Sequence, residues 1–135
     1  MSLVYYYFFF TNERDFECHK AISYLIECSW PDEPMINEFI CFCLLNSHPS
    51  TKLYYFNEIG ERVNKNYISD SLYAMLHDKI YTENGIPQIY GTQSHGRPEY
   101  GIHTIRDSLN VNKRRKEVGL SKIENQKQFW STLIN

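Results

Sequence analysis

The sequence lacks the common signatures of catalysis and of nucleotide binding. It contains no Gly-x-Ser-x-Gly elbow, no P-loop, no Gly-x-Gly-x-x-Gly run and no His-Glu-x-x-His pair. These absences disfavour the common hydrolases and nucleotide-binding enzymes. An active site of an unfamiliar kind is still compatible with the sequence, which therefore does not decide whether the chain is an enzyme.

The chain also has little net charge and no long apolar run. A formal charge of −2 and a pI near 6.2 argue against nucleic acid and anionic lipid as partners. The one dense basic run, residues 113–116, is more typical of a solvated helix face than of a phosphate site. The apolar run at residues 3–10 is far shorter than the ~20 residues of a membrane span and has no basic flank. We therefore expect no membrane segment, no signal peptide and a cytoplasmic location.

Metal-binding patterns are equally scarce. The four cysteines, Cys18, Cys28, Cys41 and Cys43, form no Cys-x-x-Cys pair, and residues two apart on a helix point to different sides. We interpret them as buried thiols in a reducing compartment. His95 and His103 could face each other, but two histidines lack the third ligand of a catalytic zinc. The sequence thus predicts neither a metal site nor a cofactor.

Apolar periodicity predicts a helical protein. A length of 135 residues suits a single domain, residues 1–135, and the 16% aromatic content indicates a bulky core. Helices are expected from about residue 12 to the Trp30-Pro31 pair, over 35–45, over 51–64, and from Ser69 or Asp70 to the Asn84-Gly85 stop. In the third of these helices, Leu53, Phe56 and Ile59 form the predicted apolar stripe.

The pattern changes character from residue 87 to residue 105. Two short extended runs separated by a turn with Gly and Pro predict an irregular β-hairpin. A basic helix then opens at Asp107 or Asn110 and runs through Val118 to a stop at Gly119. The predicted fold is mainly α, a compact bundle of about four helices with a short β-hairpin and a basic C-terminal helix.

Two short segments resemble a known family. Residues 87–93 read Pro-Gln-Ile-Tyr-Gly-Thr-Gln, and residues 114–120 read Arg-Arg-Lys-Glu-Val-Gly-Leu. They resemble a bacterial family of unknown function with a Pro-Gln-Leu/Ile-Tyr-Gly-Thr-Gln signature and an Arg-Arg...Val-Gly-Leu element, over about residues 30–120. The resemblance implies a small, mainly helical protein of bacteria or their phages and implies no particular activity.

The first of these segments also carries candidate binding groups. Tyr90, Thr92 and Gln93 bring a phenol, a hydroxyl and an amide together beside Gly91, which permits close approach. They form either a polar wall for a small molecule or peptide, or a structural cluster in which Tyr90 packs on the preceding helix and Gln93 satisfies backbone groups.

Charged residues nearby allow the same two interpretations. Asp78 could pair with Arg114 or Arg115 and fix the C-terminal half. Alternatively, the arginines could bind a carboxylate or phosphate in the same cleft, for which a guanidinium fork is suited. His77 adjoins Asp78 and can titrate near neutrality.

Two function hypotheses follow. The first is a non-catalytic module that binds a small molecule or a protein partner through Tyr90, Thr92, Gln93, Arg114 and Arg115, with Asp78 and His77. The second is a small enzyme in which His48 or His77 works with Asp78 as an acid-base pair and Gln93 or an arginine stabilises charge. The sequence does not identify the ligand, the partner or the oligomeric state.

Overall fold

The computed structural model describes Lys20 and residues 22–24, 32–95 and 101–127. Within these residues the protein is mainly helical, which confirms the predicted class. They fall into two compact units that divide between Leu72 and Tyr73. The single domain over residues 1–135 stays a prediction. The apolar run at residues 3–10, Cys18, Cys28 and most of the predicted first helix lie outside the described residues.

Two helices in the described part of the first unit contact each other. Helix α1 spans Pro34–Leu45 and helix α2 spans Pro49–Asn64. Each begins with proline, whose fixed φ suits a first helical position where no backbone N–H is needed. The α1 sequence is apolar nearly all round, and it buries Ile40, Cys41 and Leu44.

Polar side chains also enter the interior of the first unit. Arg62 of α2 donates to Asn37 Oδ1 of α1 at 3.0 Å and to Glu58 Oε1 at 3.2 Å. Lys52 is fully buried, and its ammonium donates to the backbone carbonyl of Ser47. A buried charge is tolerated only with such partners.

Cys41 in α1 is a free, fully buried thiol. Burial, with a smaller contribution from Glu38, raises its pKa to about 12. The thiol therefore stays protonated and unreactive, as expected of a core cysteine.

Helix α3, Asp70–Glu83, joins the two units, and its ends follow the sequence signals. The Ser69 hydroxyl accepts a hydrogen bond from Leu72 N at 3.4 Å, which is the expected N-cap. Gly85, at φ +69°, takes the left-handed conformation that stops the helix.

The predicted β-hairpin between residues 87 and 105 is not supported by the structure. Within the described residues this region contains no strand and has two isolated bridges, Gln88 with Ile105 in parallel and Ser94 with Ile102 antiparallel. The two strands of a hairpin run antiparallel, so a parallel bridge between them does not belong to a hairpin. The chain departs from extended geometry because a side chain of α3 captures the backbone N–H groups that a ladder would use.

A basic helix follows, as predicted to within one residue at its end. A 3-10 turn at Ser108–Asn110 leads into helix α4, Val111–Glu117, and Gly119 at φ +75° follows it. Residues 123–127 are again helical. Asn112 of α4 holds this last segment, because its Oδ1 accepts from Ile123 N at 2.9 Å.

No helix in the described part of the chain has the length and apolar character needed to cross a membrane.

Candidate functional site

Asp78, on the inner side of α3, organises the turn formed by residues 88–93, which we call the Asp78 turn. Its carboxylate accepts hydrogen bonds from Ile89 N at 2.7 Å, from Tyr90 N at 3.1 Å, and from Thr92 N and Oγ1 at 3.0 and 2.9 Å. Its side chain is fully buried. Each such bond to a carboxylate contributes about 1.5–3 kcal/mol, and the four donors together offset the cost of burying the charge.

Gly91 allows the chain to close around this carboxylate. Its φ of +70° is a conformation that L side chains rarely adopt. A Cβ at this position would collide with the Cδ1 atom of Ile123 and would lie 2.8 Å from that of Ile105. The close approach expected at this glycine is therefore made by apolar side chains of the same unit.

Gln88 closes the turn from the other side, a role that the sequence interpretation gave to Gln93. Gln88 is fully buried. Its Nε2 donates to the carbonyls of Gln93 and His103 at 3.0 and 2.8 Å, and its Oε1 accepts from Gln93 N at 2.8 Å. Gln88 and Gln93 are the first and last residues of the turn, so the local sequence does not show which of the two is buried.

Arg115 of α4 binds the carbonyl groups of the same turn. Its Nη1 donates to Tyr90 O at 2.7 Å, and its Nε donates to Ser121 O at 2.6 Å. Burial lowers its pKa, an effect opposed by the charge of Asp78. The guanidinium thus ties the turn to the C-terminal segment.

Arg114 holds the outer edge of the turn. Its Nε donates to Ile89 O at 3.0 Å, and its Nη2 donates to the carbonyls of Arg106 and Asp107 at 2.7 and 2.8 Å. Its Nη1 also lies 3.3 Å from the Asp107 carboxylate. Most of its hydrogen-bonding capacity is used within the protein.

Asp78 and the arginine pair, for which a direct ion pair was predicted, instead both bind the backbone of the turn. Asp78 accepts from the N–H groups of the turn, while Arg114 and Arg115 donate to its carbonyl groups. The α4 helix does lie over the turn, as the ion-pair interpretation required.

Thr92 and Gln93 also point inward in part. Gln93 Nε2 donates to the backbone carbonyl of Met75 at 3.3 Å and to Thr92 Oγ1 at 3.1 Å. The turn is thereby fastened to α3 along its length. Many of the polar atoms of the turn therefore form hydrogen bonds within the protein, in contrast to the predicted polar wall that would bind a ligand.

Four aromatic side chains beside the turn form an imidazole–phenol cluster, defined by Tyr73, His77, Tyr81 and Tyr90. The first three lie four residues apart along α3 and so share one helix face. The His77 ring centroid lies 4.1 Å from that of Tyr81, 6.4 Å from Tyr73 and 6.0 Å, edge to face, from Tyr90. All four residues are half-buried.

The environment of the cluster favours its uncharged forms. Burial lowers the pKa of His77, although the nearby Asp78 charge opposes this. Burial and the neighbouring phenols of Tyr90 and Tyr81 raise the pKa of Tyr73. Both shifts favour the neutral form of the group, the imidazole of His77 and the phenol of Tyr73.

The positions of His77, His48 and Asp78 decide whether they can act as an acid-base pair. His77 Nδ1 lies 4.0 Å from Asp78 Oδ1, beyond hydrogen-bond length. Both carboxylate oxygens already accept hydrogen bonds from the turn. His48, in the first unit, is the N-cap of α2 and accepts from Ser50 N at 3.3 Å.

A recess of about 180 Å³ lies in the second unit. It is smaller than the roughly 300 Å³ at which small-molecule sites begin. Its lining residues are Thr82, Gly85, Ile86, Pro87, His103 and Thr104. Among the described residues, no three His, Cys, Asp or Glu side chains approach one another as metal ligands.

No protein-family model matches the sequence, and neither a curated protein nor a solved structure is detectably similar to the chain. The resemblance carried by residues 87–93 and 114–120 therefore stays a prediction.

Proposed function

We propose that this protein is a non-catalytic binding module whose ligand contacts the imidazole–phenol cluster. The observation that carries the proposal is that buried side chains bind the backbone of the Asp78 turn and thereby hold a residue of the cluster in place. Asp78, Gln88 and Arg115 bind its backbone on the inside, and this fixes the position of Tyr90 beside His77. Such preorganisation lowers the entropy that a ligand must overcome.

The chemistry of the cluster indicates the class of ligand. Three phenols and one imidazole bring aromatic rings and hydroxyl groups together, and burial lowers the pKa of the imidazole. A planar, uncharged heteroaromatic group suits such a surface, since stacking on an aromatic side chain contributes about 1–3 kcal/mol. Such a group could belong to a small molecule or to a partner protein.

The alternative, a small enzyme with a His77–Asp78 acid-base pair, is less well supported. A general base needs a carboxylate or imidazole free to exchange a proton within hydrogen-bond reach of its partner. The Asp78 carboxylate is occupied by four donor groups and is fully buried.

The remaining elements of the proposal are the family and the setting. We propose that the chain belongs to the bacterial or phage family that its two signature segments resemble. We also propose that it works in the reducing cytoplasm, where a buried free thiol such as Cys41 persists.

The proposal is tested by a thermal-shift screen with nucleosides, NAD and aromatic amino acids, followed by calorimetric titration of the hits. Tyr81→Ala should weaken binding at least about fivefold, the loss of one stacking contact. The control is Tyr54→Ala, which removes an 80% exposed tyrosine paired with Tyr55 in the first unit.

Unchanged affinity in Tyr81→Ala, or an equal loss in Tyr54→Ala, would contradict the assignment of the surface. A screen without any hit would contradict the small-molecule form of the proposal and leave a protein partner as the ligand. Pull-down with the wild type and the two variants would then make the same comparison.

A further inference from the structure

His95 and His103 form a close pair in the second unit that the fold itself explains. Their ring centroids lie 3.7 Å apart, with an angle of 40° between the ring planes. Neither residue belongs to the imidazole–phenol cluster or to the Asp78 turn. The pair is therefore a separate feature with chemistry of its own.

The antiparallel bridge between Ser94 and Ile102 places both histidines on one face. His95 N donates to Gly101 O at 3.1 Å, and His103 N donates to Gln93 O at 3.2 Å. Each histidine directly follows a residue of this bridge, so the two side chains point to the same side of the bridged segments as diagonal neighbours.

The residue opposite His95 leaves space for this arrangement. That residue is Gly101, and a Cβ built on it would meet no atom within 4 Å among the described residues, its chain neighbours aside. Without a side chain there, the His95 ring can lean across the bridged segments onto His103. The close pair follows from a backbone register together with one glycine.

Imidazole rings can serve as metal ligands. A neutral histidine ring carries a lone pair on one of its two nitrogens, and that nitrogen can bind a metal ion. Burial, with smaller contributions from His95 and Lys79, lowers the pKa of His103.

We propose that His95 and His103 together bind a divalent late transition-metal ion of the Cu²⁺, Ni²⁺ or Zn²⁺ class. Imidazole nitrogen is a preferred ligand of these ions, whereas Mg²⁺ prefers oxygen. The sequence interpretation set the pair aside because a catalytic zinc needs a third protein ligand. A binding site with two protein ligands takes the remaining ligands from water.

The dimensions are compatible with chelation. Two imidazoles bound at 2.0–2.1 Å and at right angles to one ion have ring centroids about 4.5 Å apart. The rings therefore need to part by about 1 Å from their present 3.7 Å, a small side-chain rotation. His95 is exposed, and His103 also lines the recess with Thr82 and Thr104, which offers room for coordinated water.

The neighbouring charge does not prevent binding. Lys79 is close enough to contribute to the lowered pKa of His103. Its ammonium nitrogen lies 3.8 Å from Glu83 Oε1, so the positive charge is partly neutralised within α3.

The experiment is calorimetric titration of the full chain with Ni²⁺ alone, and then with Mg²⁺ as the comparison ion. Wild type should bind Ni²⁺ and not Mg²⁺. His95→Gln and His103→Gln should each weaken Ni²⁺ binding by at least about tenfold, as expected for a lost ligand when an outer-shell contact already costs 10–100-fold. His48→Gln, which alters a histidine of the first unit, should bind as the wild type does.

A second measurement separates loss of a ligand from loss of fold. Thermal unfolding without metal should be unchanged in His95→Gln, whose side chain is exposed. The proposal is overturned if Ni²⁺ binding survives in both single variants, if only one of them matters, or if His48→Gln has the same effect.

Discussion

Replacing Asp78 with asparagine changes one oxygen for an NH₂ group and tests the core of the Asp78 turn. The amide oxygen can keep the bonds from Ile89 N and Tyr90 N. The NH₂ group then faces Thr92 N, which bonds to Asp78 Oδ2 at 3.0 Å in the wild type. Two hydrogen-bond donors would point at each other in the interior.

The magnitude can be worked out from these contacts. A stranded buried N–H costs about 1–3 kcal/mol, and each bond that loses its charged acceptor weakens by about 1 kcal/mol. Easier burial of the neutral amide offsets part of this loss. We expect a decrease of about 3 kcal/mol in the free energy of unfolding of the second unit. At about 4–8 °C per kcal/mol for a unit of this size, Tm should fall by more than about 10 °C.

The assay is urea and thermal unfolding followed by circular dichroism, with Asp70→Asn as the matched control. Asp70 lies exposed in the first turn of the same helix, so its replacement changes the net charge equally and costs at most about 1 kcal/mol. If Asp78→Asn unfolds within 2 °C of Asp70→Asn, on the order of the scatter expected for surface changes, the carboxylate does not hold the turn.

Three further predictions concern the same unit. Gly91→Ala should destabilise the protein by about 3 kcal/mol, because φ is positive at this position and the new Cβ would overlap with neighbouring side chains. Gly85→Ala should cost about 1 kcal/mol, because φ is also positive there but no atom of the described residues lies within 4 Å. Equal losses of the two variants in urea unfolding would show that steric overlap at Gly91 does not contribute. Arg115→Lys should cost about 3 kcal/mol because an ammonium cannot reach several divergent carbonyls, and a loss under 0.5 kcal/mol would show that the fork is not needed. Since burial lowers the pKa of His77 below that of the unfolded chain, the unfolded state takes up the proton first. The contribution of His77 to the free energy of unfolding should be complete above about pH 6.5 and should decline as the pH falls through the folded pKa. His77→Gln should abolish this pH dependence, and NMR titration of the ring measures the folded pKa.

The helix boundaries were largely predictable because their signals are local. Ser69 caps α3, and Gly85 and Gly119 follow α3 and α4, all as the sequence predicts. Capping and left-handed glycine act within one turn of the chain. No distant residue is needed to interpret them.

The conformation of the predicted hairpin region could not be predicted from such local signals. Its residues have extended propensity, but Asp78 lies 11–14 positions earlier and takes their N–H groups. A sequence pattern does not show which carboxylate of an amphipathic helix will be buried. Once Asp78 is inside, four donors must bend towards it, and the regular ladder is lost.

The buried face of α2 shows the same limit. The predicted stripe places Leu53 inward, yet Leu53 is 51% exposed and the neighbouring Lys52 is fully buried. The Lys52 ammonium reaches the Ser47 carbonyl just before the helix, and Arg62 reaches Asn37 of α1. Ile59 of the same stripe is fully buried, as predicted, so the inward face keeps part of the stripe and includes Lys52 in place of Leu53.

The candidate site residues meet in space, but their binding role stays a prediction. The predicted set Tyr90, Thr92, Gln93, Asp78, Arg114 and Arg115 converges on one turn, mostly as mutual hydrogen-bond partners. The buried role of Gln88 and the pairing of Tyr73 and Tyr81 around His77 depend on how the turn packs on α3. That packing is a tertiary property.

Native-state hydrogen exchange on the wild type tests the central claim most directly. The amide protons of Ile89, Tyr90 and Thr92 all donate to one buried carboxylate. They should exchange as slowly as the most protected amides of the second unit, and only by its unfolding. Exchange of these three amides at the rate of an open loop would contradict a turn held in place by Asp78.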